Sequence, residues 1–453
     1  MKKQFTGSLV ATAALLAIAG IAQAAPAELN IYGASAQYDY WNAQAQNYAL
    51  NNLGCATATA PVNNNKKHGF VSAKNCTSTL VPVNPTSGQR DLDIRYSGIA
   101  SAEGPLSVNK KAPLDPALAT GCNIANGERL MFASTTTLVC KQVHIGTSDV
   151  AGESLVQSSS GEKFGPMGGG PFSVSLTGVE TTGLTPANTV VVPFGFFVNS
   201  NVKAQTCTAG LIGNYCTTNT ECNTAPAATD GVCGAASTIT NISREEATLI
   251  FSGYVPDWSD LGAYFTAQPA VACLRHAGSG THSAFDLTVM NSGWGANIVA
   301  EEVPGQIWFN QGSSDMMKCI NGASTAIPNG SLAGTIGYAD ADQAIGLANV
   351  SQNVKQLKYN GFYPTRTSIR NGLYDFYTNA WLYTNPLNTG SAVLPVAYNV
   401  NALAANLVEF AQDPANVPSS KVNYWAAVGE MKYNRAADNG YPGFTGASIP
   451  MLP

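Results

Sequence analysis

Apolar and polar residues alternate along Glu28-Leu29-Asn30-Ile31-Tyr32, the period of a strand with one buried face, and small residues follow at Gly33-Ala34-Ser35-Ala36. Beyond that turn Tyr40, Trp41, Ala45 and Tyr48 recur at a spacing that predicts a helix. The succession returns twice: residues 92–99 read as a strand closing on Ala100-Ser101-Ala102, and Val143-His144-Ile145 delivers Thr147-Ser148-Asp149 to its end. Residues 189–199 are apolar enough for a long strand, interrupted at Pro193-Phe194-Gly195, and are expected to cross from a first domain into a second. There, Ser243 and Glu246 have capping-box spacing and open a helix that stops near Gly253. A strand over 270–274 leads into Arg275-His276-Ala277-Gly278-Ser279-Gly280-Thr281, and apolar residues then recur at helical spacing from Ser283 to Met290. A helix is expected over 312–320 and a strand over 334–339 that returns to the first domain. Tyr374 to Tyr383 and an amphipathic helix near 402–412 complete the core. Strands interleaved with helices define an α/β class. Residues 51–90, 151–172 and 203–236 are polar, Gly-rich or Cys-rich and predict surface excursions, the second containing Met167-Gly168-Gly169-Gly170.

Composition places the chain outside the cytoplasm. Lys2 and Lys3, an apolar run from Leu9 to Ile21, and Ala22-Gln23-Ala24 form a secretory signal over 1–24, with cleavage near Ala24. No cysteine stands at the cleavage point and no later run has the roughly 18 apolar residues of a span, so a periplasmic or secreted protein without membrane insertion is expected. Charged residues make up 11% of the chain, against roughly 25% in ordinary domains. A net charge of −5 provides no basic footprint for nucleic acid. Ten cysteines, an even number in an exported chain, predict disulfides, and the absence of Cys-x-x-Cys argues against zinc or redox chemistry. Cys55–Cys76 and Cys122–Cys140 are expected as local loops and Cys273–Cys319 across one domain, while the pairing of Cys207, Cys216, Cys222 and Cys233 is left open.

The chemistry gathers at strand ends. Residues 275–281 combine a guanidinium, a Gly-Ser-Gly turn and two hydroxyls at a strand-to-helix junction, where unpaired helix amides and the positive end of the dipole suit an anion. Arg275 adds a two-pronged contact to a tetrahedral oxyanion. The alternative is a Gly-rich surface turn beside an unrelated arginine. Ligands of open α/β sheets bind beyond the carboxyl ends of strands, so the turns near residues 36, 101 and 149 are expected to share one crevice.

Taken in order, Gly33-Ala34-Ser35-Ala36, Tyr96-Ser97-Gly98-Ile99-Ala100-Ser101, Ile145-Gly146-Thr147-Ser148-Asp149, Phe251-Ser252-Gly253 with Trp258, Arg275-x-x-Gly278-Ser279-Gly280-Thr281 and Gly334-Thr335-Ile336-Gly337-Tyr338 resemble the periplasmic phosphate-binding proteins of ABC-type uptake systems. The resemblance implies a two-lobed clamshell with disulfide-stapled insertions: residues 25–192 as the first part of lobe 1, 193–338 as lobe 2 with the insertion 203–236, and 339–453 as the return to lobe 1. It further implies that Arg275, Ser279, Gly280 and Thr281 grip the anion from lobe 2, and that Ala36, Gln37, Tyr38, Ser101 and Asp149 meet it from lobe 1. No cofactor or metal is implied, and the partner would be an ABC permease. Asp149 would accept the proton that monohydrogen phosphate carries and sulfate lacks; a helix N-cap is its other reading. Two positions depart from the family pattern: Gln37-Tyr38 replace the usual Thr-Phe, and Ala277 stands where an acidic residue is common.

An exported, non-enzymatic solute-binding protein for inorganic phosphate or a similar oxyanion is therefore expected. Two rivals remain: a phosphohydrolase in which His276, His282 or His144 serves as acid or base, and an extracellular interaction protein whose Cys-rich insertion carries the function.

Overall fold

The structure, a computed structural model, describes residues 25–64, 67–85, 87–133, 137–165, 170–290, 298–322, 332–344, 353–388 and 398–446. The signal segment 1–24 and Met167–Gly169 of the Gly-rich loop lie outside these. The main elements, in chain order, begin with β1 (Ala27–Gly33), α1 (Ser35–Asn47), β2 (Cys55–Ala58), β3 (Val62–Asn64), β4 (His68–Cys76), β5 (Leu92–Gly98), α2 (Glu103–Val108), β6 (Ile145–Ser148) and β7 (Thr185–Asn199). They continue with α3 (Arg244–Phe251), β8 (Val271–Arg275), α4 (Gly280–Phe285), β9 (Ile307–Asn310), α5 (Ser313–Ile320), β10 (Thr335–Asp340), β11 (Val354–Gln356), β12 (Tyr377–Thr384) and α6 (Val400–Gln412).

The architecture is mixed α/β, and its strands form one path ordered β9-β8-β10-β7-β12-β6-β1-β5-β4-β2. Parallel pairs β5-β1-β6 make one centre and β9-β8-β10 the other. Between them runs β7, whose residues up to Pro193 pair with β12 and whose residues from Phe194 onward pair with β10. Its Pro-Phe-Gly sequence does not interrupt the strand: Pro193 marks the position where the partner changes. Buried strands with apolar residues on both faces, such as Val190-Val191-Val192, are what two covered sheet faces require.

Two expectations change. Residues 51–90 are not only a surface excursion, because β4 pairs with β5 over 68–73 and buries Phe70, Val71 and Ala73, extending the sheet. Alternating Phe-Val-Ser-Ala is too short to stand out among the Asn and Thr around it. β10 does not return to the first sheet: it lies between β8 and β7, and β11 also pairs with the 197–199 end of β7. Strand pairing with the other sheet resumes at Tyr377.

The expected helices form. Ser243 accepts from the Glu246 amide and Glu246 bonds back to the Ser243 amide, closing the capping box of α3. α6 buries Val400, Leu403, Ala404 and Leu407, spaced as one apolar stripe.

All ten cysteines pair. Cys55–Cys76, Cys122–Cys140 and Cys273–Cys319 bond as expected, and the open four resolve as Cys207–Cys222 and Cys216–Cys233. Those four make a small cluster of their own inside the 203–236 excursion, replacing a hydrophobic core that so short a segment cannot build. Cys273 on β8 and Cys319 on α5 close the longest loop, 46 residues apart in sequence and fully buried. Replacing both by alanine is expected to cost about 4 kcal/mol of stability through the freed unfolded chain, read as a fall in the urea midpoint.

Candidate functional site

β8 runs buried to Arg275, and Gly278 then turns the chain with φ 88°, a conformation that a side chain disfavours. The turn places Ser279 at the N-cap of α4 without a side-chain bond to its own helix, which leaves that hydroxyl free for another partner. The first amides of α4, from Gly280 and Thr281, have no carbonyl four residues back to accept them.

Three other strand ends meet this turn. Ser101 Oγ donates to Asp149 Oδ2 at 2.9 Å, and the Asp149 amide donates to Ser101 Oγ at 3.3 Å. Gln37, in the first turn of α1, donates from Nε2 to the Ser148 carbonyl at 2.9 Å. A Cβ added at Gly280 would lie 2.6 Å from Asp149 Cβ and nearer still to Ser101 Oγ. The glycine therefore touches the opposing strand ends directly. The Ala102 amide donates to the Gly278 carbonyl at 3.1 Å, and the Ala277 amide donates to Ser159 Oγ at 2.8 Å.

The structure thus brings Gln37, Ser101, Asp149, Arg275, Ser279, Gly280 and Thr281 to one junction. Ala36 is buried beside Gln37 at the start of α1. At Tyr38 the phenol donates to the His68 carbonyl at 3.1 Å and the ring packs on Tyr96, so the side chain lies in the core. One position further into the helix than Gln37, Tyr38 also has the Ala34 carbonyl behind it for its amide.

Arg275 is fully buried. Its Nη1 donates to Ser313 Oγ and its Nη2 to the Gln311 carbonyl, both at 3.1 Å, and Ser313 Oγ donates to Asp340 Oδ2 at 2.8 Å. Ser313 thus links Arg275 to the carboxylate at the end of β10. Three polar atoms at the junction are buried without a partner among the described residues: Arg275 Nε, Asp149 Oδ1 and Gln37 Oε1. Burial, reinforced by the charge of Asp340, pushes the Asp149 carboxyl up to about 7 against Ser101, Arg275 and Gln37. Burial lowers Arg275, although Asp340 and Asp149 oppose the shift.

The histidines are occupied elsewhere. His276 Nδ1 bonds the Ala277 carbonyl, and His282 Nδ1 meets the Tyr338 hydroxyl at 2.8 Å. That hydroxyl accepts the Arg275 amide at 3.3 Å, which leaves its proton for His282. Burial holds the two rings at about 4 and about 3, so both are neutral near pH 7. His144 is enclosed by β1, where its Nδ1 accepts the Asn30 amide at 3.2 Å. Among the described residues, the one His, Cys, Asp or Glu group close enough to hold a metal is Cys207, Cys216 and Cys222, and all three are in disulfides. A separate groove of about 260 Å³, lined by Thr79, Leu80, Pro82, Tyr398, Asn399 and Ala402, contains no charged side chain.

Sequence reading missed Ser313, Gln311 and Asp340. Asp340 carried a usable signal, since it ends a predicted strand as Asp149 does; Ser313 and Gln311 reach Arg275 only through the parallel pairing of β9 with β8.

Among the described residues, no helix is long and apolar enough to cross a membrane. Residues 209–414 match the family model of a PBP superfamily domain. No curated protein matches the sequence. Similar solved structures include a high affinity periplasmic phosphate-binding protein, PfluDING, bound with phosphate, 13% identical over 88% of this chain and 90% of that one at a TM-score of 0.44. A human phosphate binding apolipoprotein is 11% identical over 88% and 91%, TM-score 0.42. An ABC-type phosphate transport receptor from Vibrio cholerae is 12% identical over 85% and 94%, TM-score 0.39. The strand-to-helix grip lies inside the segment 209–414, which is similar to a PBP superfamily domain.

Proposed function

We propose that this protein is an exported, non-enzymatic receptor that closes two lobes around inorganic phosphate or a closely similar oxyanion and hands it to an ABC permease. The lobes divide within β7, near Pro193, and the anion lies between the Ser279-Gly280-Thr281 turn and the Ser101–Asp149 pair. One observation carries the reading: at that junction a buried guanidinium N–H and a buried carboxylate oxygen, Arg275 Nε and Asp149 Oδ1, both lack a hydrogen-bond partner among the described residues. Such atoms are costly unless something pairs with them. A partly protonated oxyanion both accepts and donates, so it answers both needs. Backbone amides, the Ser279 hydroxyl and Arg275 supply fixed donors that need little reorganisation when the anion arrives.

The test is calorimetric titration of the purified mature chain with phosphate, arsenate, sulfate and molybdate. Phosphate and arsenate are expected to bind and sulfate to be rejected; failure of every anion to bind defeats the proposal. In Asp149→Asn the amide offers a proton to a fully deprotonated anion, so the phosphate-to-sulfate affinity ratio is expected to fall at least about tenfold. An unchanged ratio would remove Asp149 from the selectivity mechanism.

A further inference from the structure

Between β6 and β7 the chain forms an arm in which residues 158–161 pair antiparallel with residues 172–175. Its root stays with the sheet it leaves. The Gly152 amide donates to the Tyr383 hydroxyl of β12 at 3.0 Å, and the Val179 amide closes the root by donating to the Gly152 carbonyl at 2.8 Å. The chain then enters the part of β7 that pairs with β12.

The tip rests on the elements around β8 and β9 instead. Ser159 Oγ accepts the Ala277 amide at 2.8 Å, on the turn that carries Ser279 and Gly280. Ser283 of α4 donates to Gln157 Oε1 at 2.6 Å, and Gln157 Nε2 donates to Asp286 Oδ2, just beyond that helix, at 3.0 Å. The Ser160 amide donates to the Ala300 carbonyl and the Glu302 amide donates to the Ser160 carbonyl, both at 2.9 Å. Phe164 stacks on Phe172 and meets the His276 ring edge-on at 5.4 Å between centroids, while Phe172 meets Phe309 of β9. The side chains of Gln157 and Ser159 are buried in these contacts.

Gly280 touches Ser101 and Asp149 so closely that a tetrahedral ion passes between them only when the two sides part. An arm rooted on one side and docked on the other cannot keep both attachments through that movement. Peptide bonds join the root to β6 and β7. The tip is held by hydrogen bonds and ring contacts, each of modest net strength. The tip is therefore the end that lets go.

On the reading of this junction as a phosphate site between two lobes, we infer that residues 157–164 with Phe172 form a clasp, carried by one lobe, that docks behind the other lobe's anion turn on closure. Gln157 and Ser159 are its positioning residues: they hold α4 and the Ala277 amide without touching the ion. Because docking completes closure and does not precede encounter, the clasp slows departure of the oxyanion and leaves its arrival unchanged.

The experiment compares amide hydrogen exchange of the mature wild-type chain with and without saturating inorganic phosphate. The Ser160 and Glu302 amides at the tip are expected to exchange at least about tenfold faster without phosphate, and the Gly152 and Val179 amides at the root to be unchanged. In Gln157→Ala, radiolabelled phosphate chased with unlabelled phosphate should leave roughly tenfold faster, as loss of two hydrogen bonds predicts. Association should stay within about twofold of the wild type, with the unfolding midpoint of the unliganded protein unmoved. Tip amides equally protected in both states, with phosphate bound, identify a fixed brace; that result overturns the clasp and leaves the phosphate reading intact. Unchanged release from Gln157→Ala, or a lowered midpoint in its place, overturns the role of Gln157. Absence of phosphate binding overturns both readings. The wild-type exchange comparison stands whether or not the variant folds.

Discussion

Arg275→Ala is expected to abolish measurable phosphate binding. Among the described residues the guanidinium is the cation that acts on both Asp149 and Asp340, and its removal leaves only Lys421 to oppose the charge of Asp340. Deleting one member of a buried charge cluster costs about 3–5 kcal/mol, which corresponds to roughly 140- to 3700-fold in affinity at about 1.4 kcal/mol per decade. Arg275→Lys should fall between the two, because an ammonium restores charge but cannot reach Ser313 and the Gln311 carbonyl together. Calorimetry on the three proteins provides the check, and full affinity in the alanine variant would remove the site from this junction.

Gly280→Ala is the second large effect. Ser101 Oγ can rotate away from an added methyl group, but Asp149 Cβ, 2.6 Å from where that methyl would sit, is fixed by the end of β6. The lobes would have to part for the methyl to fit. Overpacking of this size costs about 1–3 kcal/mol, expected as a roughly 5- to 140-fold weaker phosphate complex. Because the strain belongs to the closed junction and is relieved by opening, the unfolding midpoint of the unliganded variant should stay near that of the wild type. A lowered midpoint with undiminished affinity would mean that Gly280 serves packing alone.

Much of this site was legible because strand ends advertise themselves. Alternating strands that stop at Gly-Ala-Ser, at Ala-Ser-Ala and at Thr-Ser-Asp leave few choices for the next element, and hydroxyls and acids at such stops are exposed to a common crevice. The capping box at Ser243 and Glu246 was equally plain, being local chemistry over four residues. The features that escaped the sequence depend on neighbours distant along the chain. The resemblance implies a grip through the turn at Ala36-Gln37-Tyr38, and no local period tells that one further step of about 100° around the helix turns the Tyr38 side chain to the sheet. The relay from Arg275 to Asp340 needs β9, β8 and β10 laid side by side, an arrangement no local period encodes. β4 was hidden for a different reason: its apolar stretch is short and stands among Asn, Thr and Lys.

The long strand β7 sets the mechanics of the protein. A polypeptide loop between lobes would act as a free joint, whereas here the joint is an element laddered to one sheet below Pro193 and to the other above it. Proline has no amide hydrogen, so the residue at the changeover contributes no donor bond that bending must break. The connection behaves as a torsion bar with a softened midpoint, which favours a small-amplitude twist and an elastic return over a wide swing. On the proposed reading, lobes joined this way would reopen by the reverse of the small twist that closed them.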